Sequence, residues 1–229
     1  MLLSEIYKTT KKKLDKSNIE TSEIDARAII KNVLGCSDKE IIMNEEISLS
    51  KNENDLLSRV ISERLSGKPI SKIFGSKEFF SMDFKVNEYV LDPRPESEIL
   101  VEVALDYIKK NNFKLILEFG VGSGCIIAGI LKNADKAYAL GVDISEKAVN
   151  TAKTNLNNNK IKNFDLIVGD WGLCINRKFD LIISNPPYIK TDDINNLANE
   201  VKKNDPLLSL DGGSDGLNCY RAIAGQSSR

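Results

Sequence analysis

Apolar residues recur at helical spacing through the first part of the chain. Ala26, Ile29, Ile30, Val33 and Leu34 follow the i, i+3, i+4, i+7, i+8 stripe of one helix face, and Gly35 stands where such a helix would end. Ser37 with Glu40, and Ser50 with Glu53, have the spacing of reciprocal capping pairs. After Ser50, Leu56, Leu57, Val60, Ile61 and Leu65 share one side of a helix that stops by Gly67. Residues 1–70 are thus expected to form a small all-α unit, suited to packing or docking rather than chemistry. The pattern then becomes extended. Phe79, Phe80, Phe84, Val86 and Val90 predict a β-hairpin, and 71–92 reads as a linker.

From Pro93 onward, strands and helices alternate. Pro95 opens a helix with Leu100, Val103, Ala104, Tyr107 and Ile108 inward. Strands are predicted at 115–119, 138–142, 164–168 and 179–184, with helices starting at Ser123 and Ser145 between them. Short connections between alternating elements imply a parallel, doubly wound α/β sheet, whose ligands bind at the carboxyl ends of its strands.

Composition narrows the chemistry. The chain has no histidine, which removes Ser-His and Cys-His mechanisms and most transition-metal sites. Its 32 basic and 33 acidic residues nearly cancel, so no long-range field draws it to nucleic acid or to an anionic membrane. Four scattered cysteines, Cys36, Cys125, Cys174 and Cys219, form no C-x-x-C pair and fit free thiols in a reducing compartment. No apolar run has the length of a membrane span, and the N-terminus lacks a signal-peptide core. A metal-free, cytoplasmic protein is expected.

Four motifs fall at predicted strand ends. Glu118-Phe119-Gly120-Val121-Gly122-Ser123-Gly124 is a glycine-rich turn that permits close approach to a ligand, though a tight structural turn has the same signature. Asp143 ends the next strand, about 20 residues on, where a carboxylate can take both ribose hydroxyls or simply cap a helix. Asp170 and Trp171 can border a purine by accepting from an exocyclic amine and offering an apolar wall, or can belong to the core. The most specific motif is Ser184-Asn185-Pro186-Pro187-Tyr188. A planar NH2 nitrogen is a poor nucleophile because its lone pair is delocalised. Acceptors aimed at both N–H groups raise its electron density and stabilise the charge that develops on attack. The Asn185 oxygen and the Pro186 carbonyl can supply them. The two prolines stiffen the turn, and Tyr188 can cover the flat face of the amide or base.

These motifs together resemble the peptide chain release factor glutamine methyltransferases, the HemK-like family. Val90-Leu91-Asp92-Pro93-Arg94-Pro95-Glu96-Ser97-Glu98 is similar to the family's V-L-I-P-R-P-E-T-E, and Gly67-Lys68-Pro69-Ile70 through Glu78-Phe79 to its linker. Asp205-Pro206 through Leu210-Asp211-Gly212-Gly213-Ser214-Asp215-Gly216-Leu217 and Tyr220-Arg221 resembles the segment after its active site. The resemblance implies a Rossmann-like S-adenosylmethionine-dependent methyltransferase domain at 93–229, after a helical substrate-docking domain at 1–70 and the hairpin linker at 71–92. It implies methylation of the glutamine amide in the Gly-Gly-Gln loop of class 1 release factors. Gly120, Val121, Gly122, Ser123, Gly124 and Asp143 would hold the methionine and ribose of S-adenosylmethionine, and Asp170 and Trp171 would border its adenine. Asn185, Pro186, Pro187 and Tyr188 would clamp the glutamine, with Asn185, Pro186 and Tyr188 catalytic and Asn185 also against the donor. A monomer without direct nucleic-acid or membrane partners is expected. Asp92, Glu118, Val121 and Asp205 depart from the usual residues. The chain also ends within a helix where the family continues, so the methyltransferase domain is expected to be incomplete. A DNA adenine-N6 methyltransferase, and a donor-binding fragment without turnover, remain alternatives.

Overall fold

The computed structural model describes residues 2–173 and 175–227, so Cys174 and the chain end lie outside it. The chain divides into two compact units, with the boundary between Phe74 and Gly75.

The first unit is helical: α1 (Leu3–Asp15), α2 (Ser22–Leu34), α3 (Asp38–Met43), α4 (Lys51–Leu65) and α5 (Ile70–Phe74). Both predicted capping boxes form, at Ser37 with Glu40 and at Ser50 with Glu53. Gly35 ends α2 in the left-handed conformation at φ 66°, its N–H donating to Lys31 O. The stripe residues of α2 and α4 meet in one core with Leu3, Ile6 and Leu14 of α1, although Leu65 turns toward solvent. That core contains an ion pair, Arg64 Nε to Asp25 Oδ2 at 2.7 Å, which the apolar pattern did not announce.

The second unit begins with the hairpin of β1 (Ser76–Phe79) and β2 (Met82–Lys85). Its turn places Phe80 and Ser81 at φ 51° and 58°, a left-handed pair without the usual Asn-Gly, which explains the weak sequence signal for the turn. The segment read as a linker is therefore divided. Residues up to Phe74 pack in the helical core, whereas Phe79, Met82 and Phe84 are buried with the α/β core. Next come α6 (Glu96–Asn111), β3 (Leu115–Phe119), α7 (Cys125–Asn133), β4 (Tyr138–Asp143), α8 (Glu146–Asn158), β5 (Phe164–Val168) and β6 (Leu181–Ser184). Two short helices, α9 (Asn199–Asn204) and α10 (Asn218–Ser227), close the sequence of elements. The strands pair in parallel in the order β5-β4-β3-β6. On β3, Ile116 faces α6, α7 and α8, while Leu117 and Phe119 face a second cluster with Trp171, Ile175, Phe179 and Ile223. Val103 and Tyr107, expected inward on α6, are exposed. Ala104 and Ile108 are buried and Leu100 packs against the core as expected, and the buried face extends to Ser97 and Val101 rather than to Val103 and Tyr107. No helix among the described residues is long and apolar enough to cross a membrane.

A fully buried amide ties three parts of this unit together. Asn155 of α8 accepts from Lys85 N at 2.8 Å and donates to Lys85 O at 3.0 Å and Ser123 O at 2.9 Å. It thereby joins the hairpin to the glycine-rich turn. Replacing Asn155 with Ala leaves these backbone groups without partners in a buried site and is expected to cost about 3 kcal/mol. Urea unfolding followed by circular dichroism checks this, and a loss under about 1 kcal/mol would show that other groups or water take over the bonds.

Candidate active site

The carboxyl ends of β3, β4 and β6 open onto a cavity of about 400 Å³, within the usual range for small-molecule sites. Each wall follows from local sequence. At the end of β3 the chain turns at Gly120 and Gly122, with φ 72° and 52°, and a Cβ at Gly120 would meet nothing within 4 Å. This face of the turn is bare backbone with open space before it. Gly120 N and Val121 N both donate to Val142 O, at 2.8 and 3.0 Å, so the turn is pinned to β4. Gly124 serves packing. It is the N-cap of α7 at φ 80°, and a Cβ there would lie 3.2 Å from Ala152.

Asp143, the last residue of β4, accepts from Gly122 N with Oδ2 and from Ser145 N with Oδ1, both at 2.9 Å. Its helix-capping and cavity-facing positions coexist, because each carboxylate oxygen keeps a lone pair. Burial raises the Asp143 carboxyl above its ordinary pKa, against the backbone N–H groups of Ser145, Gly122 and Ile144 that lower it. Glu118 is fully buried beneath the first turn of α7, where Oε2 accepts from Ile127 N at 3.1 Å. Desolvation holds its pKa well above the carboxylate range, partly countered by Ile127 N–H, and the charge of Asp143 pushes it further up. Cys125 also lines the cavity, and burial pushes its thiol up to about 12, so it stays protonated near neutral pH.

The fourth strand supplies the other side. Ser184 Oγ donates to Phe119 O at 2.8 Å, and Asn185 follows directly, its Nδ2 donating to Ser97 Oγ at 3.2 Å. The turn after it is braced by the 211–216 segment. Gly212 N donates to Ile189 O at 2.8 Å, and a Cβ on Gly212 would come within 2.9 Å of Pro187 O. Only glycine permits that approach. Trp171 stands at φ 50° with its ring edge-on to Phe119 at 6.1 Å, so it belongs to the sheet's second core and to the cavity wall at once.

Of the site residues expected from sequence, Gly120, Val121, Gly122, Ser123, Asp143, Asp170, Trp171, Asn185 and Pro187 line this cavity. Gly124, Pro186 and Tyr188 do not, and Tyr188 is 62% exposed on the outer side of its turn. Sequence reasoning quoted Glu118 and Ser97 within motifs without assigning either to the site. Arg94 also lines the cavity and pairs with Asp205 Oδ2 at 2.6 Å, which fixes the 205–209 segment at the rim. The available signal for all three was position, in Pro93-Arg94-Pro95-Glu96-Ser97 and just before the glycines. Chemically, the cavity offers exposed backbone, an acceptor carboxylate at Asp143, a buried acid at Glu118 and the Asn185 carboxamide at the start of a proline-stiffened turn. That set fits a cationic nucleoside donor such as S-adenosylmethionine.

Comparison with known proteins agrees along nearly the whole chain. A family described as the PrmC N-terminal domain matches residues 5–75, and the methyltransferase small domain matches residues 96–212. The release factor glutamine methyltransferase of Agrobacterium fabrum is 36% identical over 224 residues, covering 96% of this chain and 78% of that protein. Its namesake in Thermodesulfovibrio yellowstonii is 42% identical over 202 residues, covering 87% and 72%. Among solved structures, the hMettl16 catalytic domain in complex with the MAT2A 3′UTR hairpin 6 superposes with a TM-score of 0.53 at 16% identity. It covers 81% of this chain and 66% of that one, and it shows a shared methyltransferase fold.

Burial of Glu118 makes folding depend on pH. Its carboxyl binds a proton more tightly in the folded chain than in the unfolded one. Between the ordinary carboxylate value and the raised folded value, the native state therefore holds more protons, and stability falls as pH rises through that window. Asp143 adds a smaller slope of the same sign. Glu118→Gln keeps an acceptor for Ile127 N–H without the charge, and is expected to flatten the decline. Urea midpoints in steps from about pH 5 to pH 8 read this out, and identical slopes for the two proteins would refute it.

Proposed function

The chain belongs to the release factor glutamine methyltransferase family, and on that premise we propose that it methylates the side-chain amide nitrogen of the glutamine in the Gly-Gly-Gln loop of class 1 peptide chain release factors. Its support is one shared cavity: the glycine turn, Asp143 and Asn185 converge there from three strands. S-adenosylmethionine supplies a methyl group already activated by its sulfonium. The turn from Gly120 to Gly124, with Glu118 behind it, holds the methionine part. Asp143 accepts from the ribose hydroxyls, and Asp170 and Trp171 border the adenine. The Asp143 carboxylate suits a cationic donor better than its neutral product.

Asn185 Oδ1 and the Pro186 carbonyl accept from the two N–H groups of the glutamine amide. They orient its nitrogen and stabilise the positive charge that develops on it during attack. The proton lost from nitrogen leaves by the N–H directed at Asn185 Oδ1 and passes to water, since no imidazole is present. Tyr188, on the exposed side of the turn, covers the amide plane from outside. Placing the two partners in line accounts for much of the remaining acceleration. The helical unit provides the docking surface for the release factor. The protein acts as a cytoplasmic monomer without contacting nucleic acid directly.

Labelled S-adenosylmethionine, offered with a release factor and adenine-containing DNA together, tests the proposal. Label is expected on the glutamine peptide, located by mass, and label on DNA alone, or none on protein, would overturn it. Asn185→Ala is expected to lower kcat by about 10²-fold while leaving the donor-induced rise in Tm intact. Asp143→Ala is expected to abolish that rise, and a full Tm response in this variant would remove Asp143 from the donor site.

A further inference from the structure

We infer that Ser97 is a positioning residue for methyl transfer, anchoring the Asn185 carboxamide by its nitrogen end so that the oxygen end is left to meet the acceptor amide. The inference rests on the role proposed above for Asn185. A carboxamide is nearly symmetric in shape, but its two ends are opposite in hydrogen-bonding sense, and only Oδ1 can accept. Pro186 restrains the backbone of Asn185 without restraining this terminal torsion, which is broad and roughly two-fold. The residue stands at an exposed strand end, so an anchor outside the turn is needed to hold its side chain in place.

Ser97 is placed to do so. It lies 88 positions earlier, in the first turn of α6, is only 7% exposed, and takes Asn185 Nδ2 on its hydroxyl oxygen at 3.2 Å. With the nitrogen engaged on the α6 side, Oδ1 is directed elsewhere. The anchor itself is rigid. Ser97 N donates to Arg94 O at 2.9 Å, Arg94 pairs with Asp205, and the neighbouring Glu98 accepts from Phe80 N at 2.8 Å with Oε1. The segment 94–98 therefore grips the rim, the acceptor turn and the hairpin together, and the Ser97 hydroxyl is its contact with the reacting side. A flipped Asn185 would set an N–H against the N–H of the substrate, which repels where acceptance is needed.

Ser97→Ala, Ser97→Thr, Asn185→Ala and the Ser97→Ala/Asn185→Ala double variant, in the full chain, test this by labelled transfer to a release factor. Ser97→Ala is expected to lower kcat by about tenfold, with KM for the release factor and the donor-induced Tm rise little changed. Ser97→Thr, which keeps the hydroxyl, is expected to recover to within about threefold of the wild type. In the Asn185→Ala background, removing the Ser97 hydroxyl is expected to have no further effect. An unchanged kcat in Ser97→Ala, a threonine variant as slow as the alanine one, or a tenfold loss persisting without Asn185 would each overturn the inference. So would a loss that tracks a smaller donor-induced Tm rise, which would mark Ser97 as merely structural. Wild-type protein that leaves the glutamine unlabelled would remove the role of Asn185 and this inference with it. Label in the wild type and equal label in Ser97→Ala would remove only the Ser97 assignment.

Discussion

The site depends on the parallel pairing of β3 with β6, in which Phe119 lies opposite Ser184. These strands are 65 residues apart in the chain, yet their register sets the glycine turn after Phe119 beside the Asn185 turn after Ser184. The hydrogen bond from Ser184 Oγ to Phe119 O locks the last rung. A shift of one residue would turn Ile183 and Ile182 to the wrong faces of the sheet, so hydrophobic burial enforces the register that catalysis uses. Strand order reverses at this pair, because the chain runs outward through β4 and β5 and returns to the other side of β3. The crevice at that reversal holds the cavity.

Around this pair, polar groups buried in the core set the geometry of the loops. Glu118 supports the first turn of α7, Asp143 bridges the glycine turn and the start of α8, and Asn155 joins the turn to the hairpin. Each satisfies backbone groups that water would otherwise need to reach. Two carboxyls kept from water under a cavity also prepare a place for a positive ligand, so one arrangement serves folding and binding. In the donor site proposed here, a bound cation would offset the cost of burying them.

Backbone stiffness shapes the acceptor side. Two prolines restrict the turn from within, and the 211–216 segment restricts it from without, with Gly212 and Gly216 letting main chains touch. The resemblance of that segment to a family pattern thus has a packing cause. Gly212 and Gly216 are required by the proximity of the Pro187 and Tyr188 backbone, whatever they also do for substrate.

Much of this was legible in sequence, because it depends on short-range regularities. The period of apolar positions located α2, α4 and the four strands, the Ser-Glu spacing marked two helix starts, and the glycines, Asp143 and Asn185 marked strand ends. The places where the reading slipped share a different cause. The inward face of α6 was drawn too wide on one side, at Val103 and Tyr107, because these exposed residues are as apolar as buried Val101, and only the packing partner tells them apart. The hairpin formed as expected, but its turn at Phe80-Ser81 lacks the usual Asn-Gly, and Glu98 holds its first N–H from another element. The divided linker, the buried Arg64–Asp25 pair, the Asn155 hub and the contact of Ser97 with Asn185 join residues far apart in the chain. By itself the sequence determined the elements, their order and the chemistry at the strand ends, because local backbone preference and periodic burial act within a few residues. Which polar side chains meet across the core, and which way the Asn185 amide faces, was decided by tertiary structure, because a hydrogen bond exists only once folding has brought both of its partners to one place.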